Sequence, residues 1–394
     1  MFRNSVLTAL TVLVPSLLAR QVPVTTPNGL MTAMKTAVAG DTILVAPGTY
    51  TGEIALSGDP GNLPNGTGYF WVGNNGTAQH PIVIIAADPA HPPVLQGSTI
   101  SSGYVVHVTG DYVVLKSLVI TQGDKGVIFD NASNGILEDC EVYNVGAELI
   151  HVRDASSNVI ISRNNIHNSG NTAGTYGEGL YIGTDFARWG ADDVAQTATI
   201  APYWGPEGIA EGYGGYDWRV QNTQVMCNFF SGGISAECID SKEGTQNTTV
   251  IGNVFVADSI GKKAGANFYD DSFIDQKGVK GVFTGNTFFL GGNTITTYIA
   301  EVLRSFPNVP SNLTAEKHAK PWCDNILAND SNNCSAANNT VVTSSPADPR
   351  SACTSYFDMN WSALNSTPIS GNRPIRPLSA RPLTGYDLLG RTSH

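Results

Sequence analysis

Two short phrases late in the chain echo each other and bring carboxylates and amines together. They read IDSK at 239–242 and IDQK at 274–277. Strand side chains alternate between faces, so the Asp and the Lys of each phrase share a face. A positioned Lys can accept a proton when nearby cations or a metal disfavour its charged form, and carboxylate oxygens are ligands for Ca²⁺. The phrases therefore predict a site of proton transfer next to cationic side chains or a bound metal ion.

A recurring phrase shows which elements must position this site. It consists of an apolar strand, a turn with Asn or Gly, and a second strand. Equivalent residues are 24 apart for Leu137 and Ile161, 25 apart for Asn228 and Asn253, and 33 apart for Asn253 and Asn286. A loose period of this size, built from strands, predicts a solenoid whose coils bury their apolar faces by stacking. The phrases are GILEDCEVYN (135–144), NVIISRNNIHN (158–168), TQVMCNFFSG (223–232), TTVIGNVFVA (248–257) and KGVFTGNTFFL (280–290).

Stacked coils place equivalent residues in rows about 4.8 Å apart. We align the inward aliphatic residue of four strands, namely Val152, Ile182, Ile239 and Ile274. Alternation then predicts three outer rows that form one patch. The rows are Arg153, Gly183, Asp240 and Asp275; Ala155, Asp185, Lys242 and Lys277; and His151, Tyr181, Cys238 and Phe273.

The patch offers a residue for each part of an acid–base reaction. Lys242 is the first candidate for the base and Lys277 the second, while Arg153 could neutralise a carboxylate through its planar fork. His151 and Tyr181 could donate a proton. The candidate oxygen ligands for a metal are Glu237, Asp240, Asp271 and Asp275. The competing interpretation is a structural ladder of Asp–Lys ion pairs, with Arg153 paired to Asp154 or Asp185.

One long Gly-rich insertion, 184–218, interrupts the repeat and is dense in aromatic residues. Long loops inside a compact domain are usually functional or disordered, and an aromatic-rich loop is not typical of disorder. Either it forms a platform on which sugar rings stack, or it packs on itself. The candidate contacts to a substrate are Asp185, Trp189, Trp204, Tyr213 and Trp218.

Composition limits the partners. The chain has 394 residues, a formal net charge of −11 and only 14% charged residues. Nucleic acid is not an expected partner, because phosphate binding needs clustered Lys and Arg. No segment is long and apolar enough to predict a membrane span. Nothing in the sequence indicates an oligomer, so we expect a monomer.

The N-terminus predicts secretion. Residues 1–20 combine a basic start with an apolar run from Val6 to Leu18, which is typical of a signal peptide. Ten N-x-S/T sequons suggest glycosylation in a eukaryotic host. Six cysteines suggest disulfides, and Cys323 with Cys334 is a plausible pair. Burial as small apolar residues is the alternative for Cys140, Cys227 and Cys238.

We predict one elongated domain over 21–303, followed by an irregular tail at 304–394 that packs along it and is rich in Pro, Ser and Asn. The segment 28–44 predicts a short amphipathic helix that caps the first coil, ahead of a strand at 42–50. Such a cap hides an apolar end that would otherwise be an open edge. Asn228, Asn253 and Asn286 are expected to stack as a structural ladder that satisfies turn backbone groups.

A family resemblance makes the fold more specific. The segment AVAGDTILVAPGTYTGE at 37–53, with the coils behind it, resembles the opening of the pectate-lyase-like right-handed parallel β-helix superfamily over roughly 35–290. The resemblance implies an all-β fold. It does not fix the activity, because the superfamily holds lyases, hydrolases, esterases and non-enzymes.

A second resemblance bears on the chemistry. ECIDSKEG is similar to a strand of the chondroitinase B and alginate lyase type of β-helix enzyme, in which a Ca²⁺-binding Glu precedes the Lys base by five residues. Glu237 and Lys242 have that spacing, which implies a calcium site beside a Lys base. Ser235 stands where that family has a second calcium-binding Glu.

Three functions remain open on these residues. A lyase acting on pectate, alginate or a glucuronan needs a cation for the uronate carboxylate, a base for the C5 proton and an acid for the leaving oxygen. A glycoside hydrolase could instead use Asp240, Asp271 or Asp275. A non-catalytic glycan-binding protein would turn over nothing. We expect the first of these functions, a secreted lyase that acts on an acidic polysaccharide.

Overall fold

The computed structural model describes residues 20–61, 66–172, 176–184, 220–242, 245–260, 273–276, 278, 281–292 and 335–361. In this part the chain winds into a parallel β-helix, because successive coils add strands to three sheets and every strand pair is parallel. The predicted all-β solenoid is confirmed.

The strands of the three long sheets follow in stacking order, and a small fourth sheet pairs two further strands. Sheet 1 contains β1 (Gln21–Val24), β2 (Thr42–Val45), β5 (Ile82–Ala86), β8 (Val113–Lys116), β11 (Ile136–Glu138), β14 (Ile160–Ser162), β18 (Gln224–Met226), β22 (Thr249–Ile251), β25 (Val282–Thr284) and β27 (Ser335–Ala337). Sheet 2 contains β4 (Gly68–Val72), β7 (Tyr104–Val108), β10 (Lys125–Asp130), β13 (Ile150–Arg153), β16 (Leu180–Ile182), β20 (Ile239–Ser241) and β24 (Ile274–Gln276). Sheet 3 contains β3 (Thr49–Thr51), β6 (Val94–Gln96), β9 (Val119–Thr121), β12 (Glu141–Tyr143), β15 (Asn165–His167), β19 (Phe229–Phe230), β23 (Val254–Val256), β26 (Thr287–Phe289) and β28 (Thr340–Val342). The fourth sheet pairs β17 (Val220–Gln221) with β21 (Thr245–Gln246).

The turn between sheets 1 and 3 carries a ladder of stacked asparagines. The side-chain oxygen of each Asn accepts from the backbone and amide N–H groups of the Asn one coil earlier, as Asn253 does from Asn228 at 2.8 and 3.0 Å. The ladder predicted at three positions is confirmed, and it has two further members. Its members are Asn164, Asn228, Asn253, Asn286 and Asn339.

The residue before each ladder position bends the chain. Arg163 and Cys227 have φ of 56° and 57°. This left-handed conformation is costly for most side chains, but the Asn amide that follows secures the backbone of the turn.

Inside the coils, aromatic side chains continue the stacking. Phe230, Phe255 and Phe288 lie face to face with ring centroids 4.7 and 5.1 Å apart. At the N-terminal end, α1 (Pro27–Thr36) closes the core with buried Leu30, Met31 and Met34. The Thr26 hydroxyl caps it by accepting from the Gly29 N–H at 3.1 Å. The helix ends at Thr36, earlier than the predicted segment, because Ala37 is already extended with ψ 143°, and Gly40, with φ 91°, then turns the chain towards β2. A second helix, α2 (Ile54–Ser57), is one turn long.

The coils extend further than the sequence indicated. The strands β27 and β28 fall in the segment predicted to be irregular, yet they pair in register with β25 and β26. The repeat was missed there because the core-facing residue of β27 is the small Ala336, which stands where β25 has Phe283, in a segment otherwise rich in Ser and Asn. Behind them come a 3₁₀ turn (Arg350–Ala352) and α3 (Tyr356–Trp361). We call residues 350–361 the strap.

The strap covers the outer face of sheet 1. Phe357 packs into a second apolar cluster with Val83, Val114 and Ile160, so these strands are apolar on both faces. Beneath the strap, buried Glu138 accepts from the Ser355 hydroxyl and from the Tyr356 N–H. The strap is thereby held by polar contacts as well as by apolar burial.

A disulfide between Cys227 and Cys353 ties the strap to the coils, across 126 residues of sequence. The alternative of simple burial is therefore wrong for Cys227, whereas Cys140 and Cys238 are buried free thiols. Cys323 and Cys334 lie outside the described residues. No helix within the described ranges is long and apolar enough to cross a membrane.

Removing the disulfide should destabilise the protein. For Cys227→Ser with Cys353→Ser, we expect a loss of about 2–4 kcal/mol, since the cross-link closes a long loop in the unfolded chain. Thermal unfolding followed by circular dichroism measures this. Reductant should lower the wild-type midpoint and leave the double variant unchanged. A wild type that is insensitive to reductant under unfolding conditions would contradict the bond.

Candidate functional site

The outer face of sheet 2 brings the predicted residues together in a different register. Tyr181 pairs with His151 on one side and with Asp240 on the other, and Asp240 pairs with Asp275. The predicted alignment of Val152 and Ile182 with Ile239 and Ile274 is therefore wrong by two residues. It failed because the inward positions opposite Val152 hold polar Ser241 and Gln276. We call His107, Ile128, His151, Tyr181, Asp240 and Asp275 the central row.

Lys242 lies over the central row. Its Nζ is 4.8 Å from the ring centroid of Tyr181 and 2.6 Å from Oδ2 of Asp240. Only 5% of Lys242 and 9% of Tyr181 are exposed, so neither is a solvated surface group. The ion pair with Asp240 was the structural alternative for Lys242, and it is present. A buried amine, a phenol and a carboxylate are thus in contact on one face.

Three carboxylates meet beside this pair. One oxygen from each of Glu178, Glu237 and Asp240 lies within 4.8 Å of the others, and all three residues are buried. Glu237 and Asp240 were predicted as metal ligands, whereas Glu178 was not. Asp275 is buried one coil further along the central row and is not a member of this cluster. We call these three residues the carboxylate cluster.

Like charges at this distance repel, and burial removes the water that would screen them. Burial, with the charges of Glu148 and Asp240, raises the pKa of Glu178 to about 8. Its Oε2 has no hydrogen-bond partner in the part of the chain that the structure describes. Burial alone would also raise the pKa of Glu148, but Lys125, whose Nζ is 2.9 Å from Oε1, and His151 bring it down to about 2.

Arg153 is occupied by a structural partner. Its guanidinium donates to both carboxylate oxygens of Asp130, at 2.5 and 2.8 Å, and to the Tyr104 hydroxyl at 3.1 Å. The partner is therefore Asp130, not Asp154 or Asp185. Although burial opposes it, the Asp130 carboxylate raises the pKa of Arg153 further. With its fork filled, Arg153 does not fit the predicted role of neutralising a substrate carboxylate.

His107 extends this ion pair. Its Nδ1 is 2.7 Å from Asp59 and its Nε2 is 3.0 Å from Asp130, so both ring nitrogens face carboxylates. Burial opposes the charge, but the two hydrogen bonds outweigh it and raise the pKa of His107 to about 9. Asp59, His107, Asp130 and Arg153 form what we call the buried ion network.

His151, unlike His107, is a neutral imidazole. Its Nε2 is 2.8 Å from the Gly183 carbonyl oxygen, so Nε2 carries the proton. Burial, together with the charges of Arg153 and Lys125, lowers the pKa of His151 to about 3. A neutral imidazole whose only N–H is committed to a carbonyl does not fit the predicted role of proton donor. Its ring lies edge-on to Tyr181, with centroids 4.4 Å apart.

The other predicted site residues lie outside the described residues. They are Lys277, Asp185, Asp271, Trp189, Trp204, Tyr213 and Trp218.

Comparisons with known proteins agree with this architecture. Residues 20–192 match the family model described as Pel9A-like, right handed beta helix region. The crystal structure of alginate lyase from Paenibacillus sp. str. FPU-7 is 32% identical over 72% of this chain and 80% of that chain, with a TM-score of 0.57. This chain belongs to the pectate-lyase-like right-handed β-helix superfamily.

Two further solved structures show a weaker similarity. Pectate lyase Pel9A is 14% identical, with 69% of this chain and 68% of that chain covered and a TM-score of 0.48. A rhamnogalacturonan lyase is 15% identical, covers 68% of each chain and has a TM-score of 0.45. No curated protein sequence matches this chain.

The sequence did contain a signal for the missed Glu178. Glu148, Glu178 and Glu237 each stand two residues before an inward Ile or Leu, at Ile150, Leu180 and Ile239, which are in register. We call them the glutamate column. Aligning the strands on this Glu-x-aliphatic phrase gives the observed register. In this register Glu178, on the preceding coil, lies beside Glu237 as a second carboxylate. Position 235, where a second Glu was expected from the resemblance, is a Ser.

The buried ion network should make stability fall at alkaline pH. The folded pKa of His107, about 9, lies above its ordinary 6.5, so its stabilisation is fully present below pH 6.5 and is lost as pH rises through 9. We measure the free energy of unfolding with urea from pH 6 to pH 10. Over this range we expect it to fall by a few kcal/mol more in the wild type than in His107→Gln. Parallel pH curves for the two proteins would contradict a protonated His107. The matched control is His91→Gln on the exposed surface, whose curve should follow the wild type.

Proposed function

We propose that this chain is a polysaccharide lyase that cleaves a uronic-acid polymer by β-elimination, with Lys242 as the base and Tyr181 as the acid. The observation that carries the proposal is the buried contact between the Lys242 amine and the Tyr181 ring, at 4.8 Å, beside the carboxylate cluster. The similarity to an alginate lyase over most of both chains supports the reaction class and makes alginate the first polymer to test. Pectate and glucuronan are the next.

The reaction assigns one proton movement to each residue. Lys242 Nζ takes the proton from C5, the C–H electrons form the C4=C5 double bond, and the bond from C4 to the leaving oxygen breaks. The Tyr181 hydroxyl gives its proton to that oxygen. Acid and base of this kind each contribute about 10²–10⁴-fold to a rate. Their ring-to-amine contact allows both to reach one sugar ring.

The carboxylate cluster fits a calcium ion. Ca²⁺ takes oxygen ligands at 2.3–2.6 Å, so oxygens on opposite sides of an ion are up to about 5 Å apart. The three carboxylate oxygens lie within 4.8 Å of one another, and the buried Oε2 of Glu178 lacks a partner among the described residues. Glu178, Glu237 and Asp240 would hold the ion. When bound, the ion would supply positive charge that neutralises the uronate carboxylate.

Asp240 links the cluster to the base. It belongs to the cluster and also forms the ion pair with Lys242 at 2.6 Å. A general base must be uncharged before it accepts a proton. Whatever neutralises the cluster also weakens the pairing that favours the ammonium form of Lys242, because an ammonium is stabilised by a nearby anion.

We further propose that the protein acts outside the cell as a monomer. The signal-peptide pattern at 1–20 and the ten sequons support export. A polymeric substrate is also too large to enter a cell intact, so an extracellular lyase meets it where it occurs.

Replacing the acid or the base should abolish turnover without unfolding the protein. For Lys242→Ala and for Tyr181→Phe we expect at least about a hundredfold loss of kcat. Near-ultraviolet absorbance of the unsaturated product, with alginate as substrate, measures this. The control Lys35→Ala changes an exposed Lys of the capping helix and should keep full activity. Unchanged turnover in Lys242→Ala would refute the assignment of the base, and reducing ends without absorbance would indicate hydrolysis.

Calcium should stabilise the protein through the cluster. At a hundredfold excess over its Kd, an ion that binds only the folded state adds about 2.7 kcal/mol, and chelator removes it. Glu178→Gln should lose most of this gain, which differential scanning calorimetry with and without Ca²⁺ measures. Glu141→Gln, on sheet 3, is the matched control and should respond as the wild type does. An equal calcium response in Glu178→Gln would exclude this cluster.

A further inference from the structure

One buried polar atom on the central row has no role in the reaction described above. The Nδ1 of His151 has no hydrogen-bond partner among the described residues, although His151 is only 4% exposed. A buried polar group left without a partner destabilises the folded protein. Such an atom is usually satisfied by a ligand or an ordered water.

The tautomer of His151 determines what that partner must offer. Because Nε2 donates to the Gly183 carbonyl oxygen at 2.8 Å, Nδ1 carries a lone pair and can only accept. A carboxylate cannot be the partner, since it has no proton to give. The partner must carry an O–H or N–H group, and a sugar ring offers hydroxyls.

The charges around His151 keep it in this state. Arg153 and Lys125 both disfavour the imidazolium, and burial adds to them, so the pKa of His151 lies at about 3. At neutral pH the ring therefore stays neutral and Nδ1 stays an acceptor. The neighbouring Glu148 carboxylate acts in the opposite direction but does not reverse the shift.

His151 lies beside the residues to which we assign the reaction. His151 precedes Tyr181 on the central row, and the two rings touch edge-on with centroids 4.4 Å apart. The Nζ of Lys242 lies over the same Tyr181 ring, 4.8 Å from its centroid. A sugar whose C5 faces Lys242 would therefore have a ring hydroxyl, or one of its neighbour, next to His151.

We propose that His151 Nδ1 accepts a hydrogen bond from a hydroxyl of the substrate sugar at the cleavage site, and so selects rings in which that hydroxyl is free. An O-acylated or O-methylated ring has no proton there and adds bulk in a buried place. The inference rests on the proposed function and adds a specificity determinant to it. His151 positions and selects the sugar and takes no part in proton transfer.

Two substitutions separate this role from a structural one. His151→Gln can place its amide N–H near the position of Nε2 and keep the contact with Gly183, but it lacks the acceptor at Nδ1. His151→Asn can place its amide oxygen near Nδ1 and lose the contact with Gly183. The inference expects Asn to retain substrate binding better than Gln. A role confined to holding the Gly183 loop expects the reverse.

The test measures binding apart from turnover. Each substitution is made in the Lys242→Ala background, and the affinity for an unmodified alginate tetrasaccharide is measured by isothermal titration calorimetry. We expect about a tenfold or larger loss of affinity for His151→Gln and a smaller loss for His151→Asn. The control His167→Gln makes the same change on sheet 3 and should bind as the background does.

A second arm tests the selection itself. The same tetrasaccharide with its ring hydroxyls acetylated should bind the background protein at least about tenfold more weakly, and His151→Gln should reduce that difference. Equal binding by the Gln variant and the background would overturn the inference and indicate that a water fills the place at Nδ1. Binding without ultraviolet-absorbing product from the wild type would refute the lyase proposal while leaving the His151 contact supported. Absence of binding to the background would overturn both.

Discussion

The positions of all outer side chains in this molecule depend on one constraint, the parallel hydrogen-bonded register of successive coils about 4.8 Å apart. In that register a residue type that recurs at one coil position becomes a column of identical groups in contact. An Asn column is self-satisfying, because each amide both donates and accepts, and the ladder through Asn228 and Asn253 shows both bonds. A Glu column is not, because ionised carboxylates only accept.

The glutamate column is therefore the part of the molecule where stacking has an electrostatic cost. At one end of the column the repulsion between carboxylates is offset by Lys125, whose Nζ pairs with Glu148 at 2.9 Å. At the other end, Glu178 and Glu237 join Asp240, and Asp240 pairs with Lys242 at 2.6 Å. Burial, together with the charges of Glu148 and Asp240, raises the pKa of Glu178 to about 8. A proton on Glu178 reduces the repulsion, and under the proposed function a bound cation would do the same.

The sequence was sufficient for the architecture and for several of the residues. Its repeat predicted the coils, the Asn ladder and the capping helix, because these depend on local periodicity. It also placed Lys242, Glu237 and Asp240 near one another, since they share one strand phrase. It gave the wrong register between His151 and Asp240, because the inward positions of later coils are polar Ser241 and Gln276. It missed Glu178 because alignment by aliphatic residues ignored the Glu-x-aliphatic phrase.

Contacts between distant segments were beyond the reach of periodicity. The partner of Arg153 is Asp130, 23 residues earlier and one coil away, and nothing in the local phrase around Arg153 names it. The strap is a stronger case, since Cys353 reaches Cys227 across 126 residues and Ser355 reaches Glu138 across 217. Lys116 and Glu138 occur in otherwise apolar strands of sheet 1. Their burial under the strap explains why charged residues occupy a face that the pattern marks as hydrophobic.

The two histidines of the central row show how the same face divides into parts with different chemistry. His107 and His151 occupy the same row with one coil between them, about 10 Å apart by coil spacing. Two carboxylates raise the pKa of His107 to about 9, whereas burial and two cations lower that of His151 to about 3. Arg153 is common to both, since it pairs with the Asp130 that also contacts His107, and its charge disfavours protonation of His151. The buried ion network thus pairs the charges at one end of the row. At the other end, the neutral ring of His151, whose Nδ1 can only accept, lies beside Tyr181 and Lys242. Under the proposed function, in which Lys242 takes a proton from the sugar and Tyr181 gives one to the leaving oxygen, this arrangement keeps structural charge apart from the reacting groups.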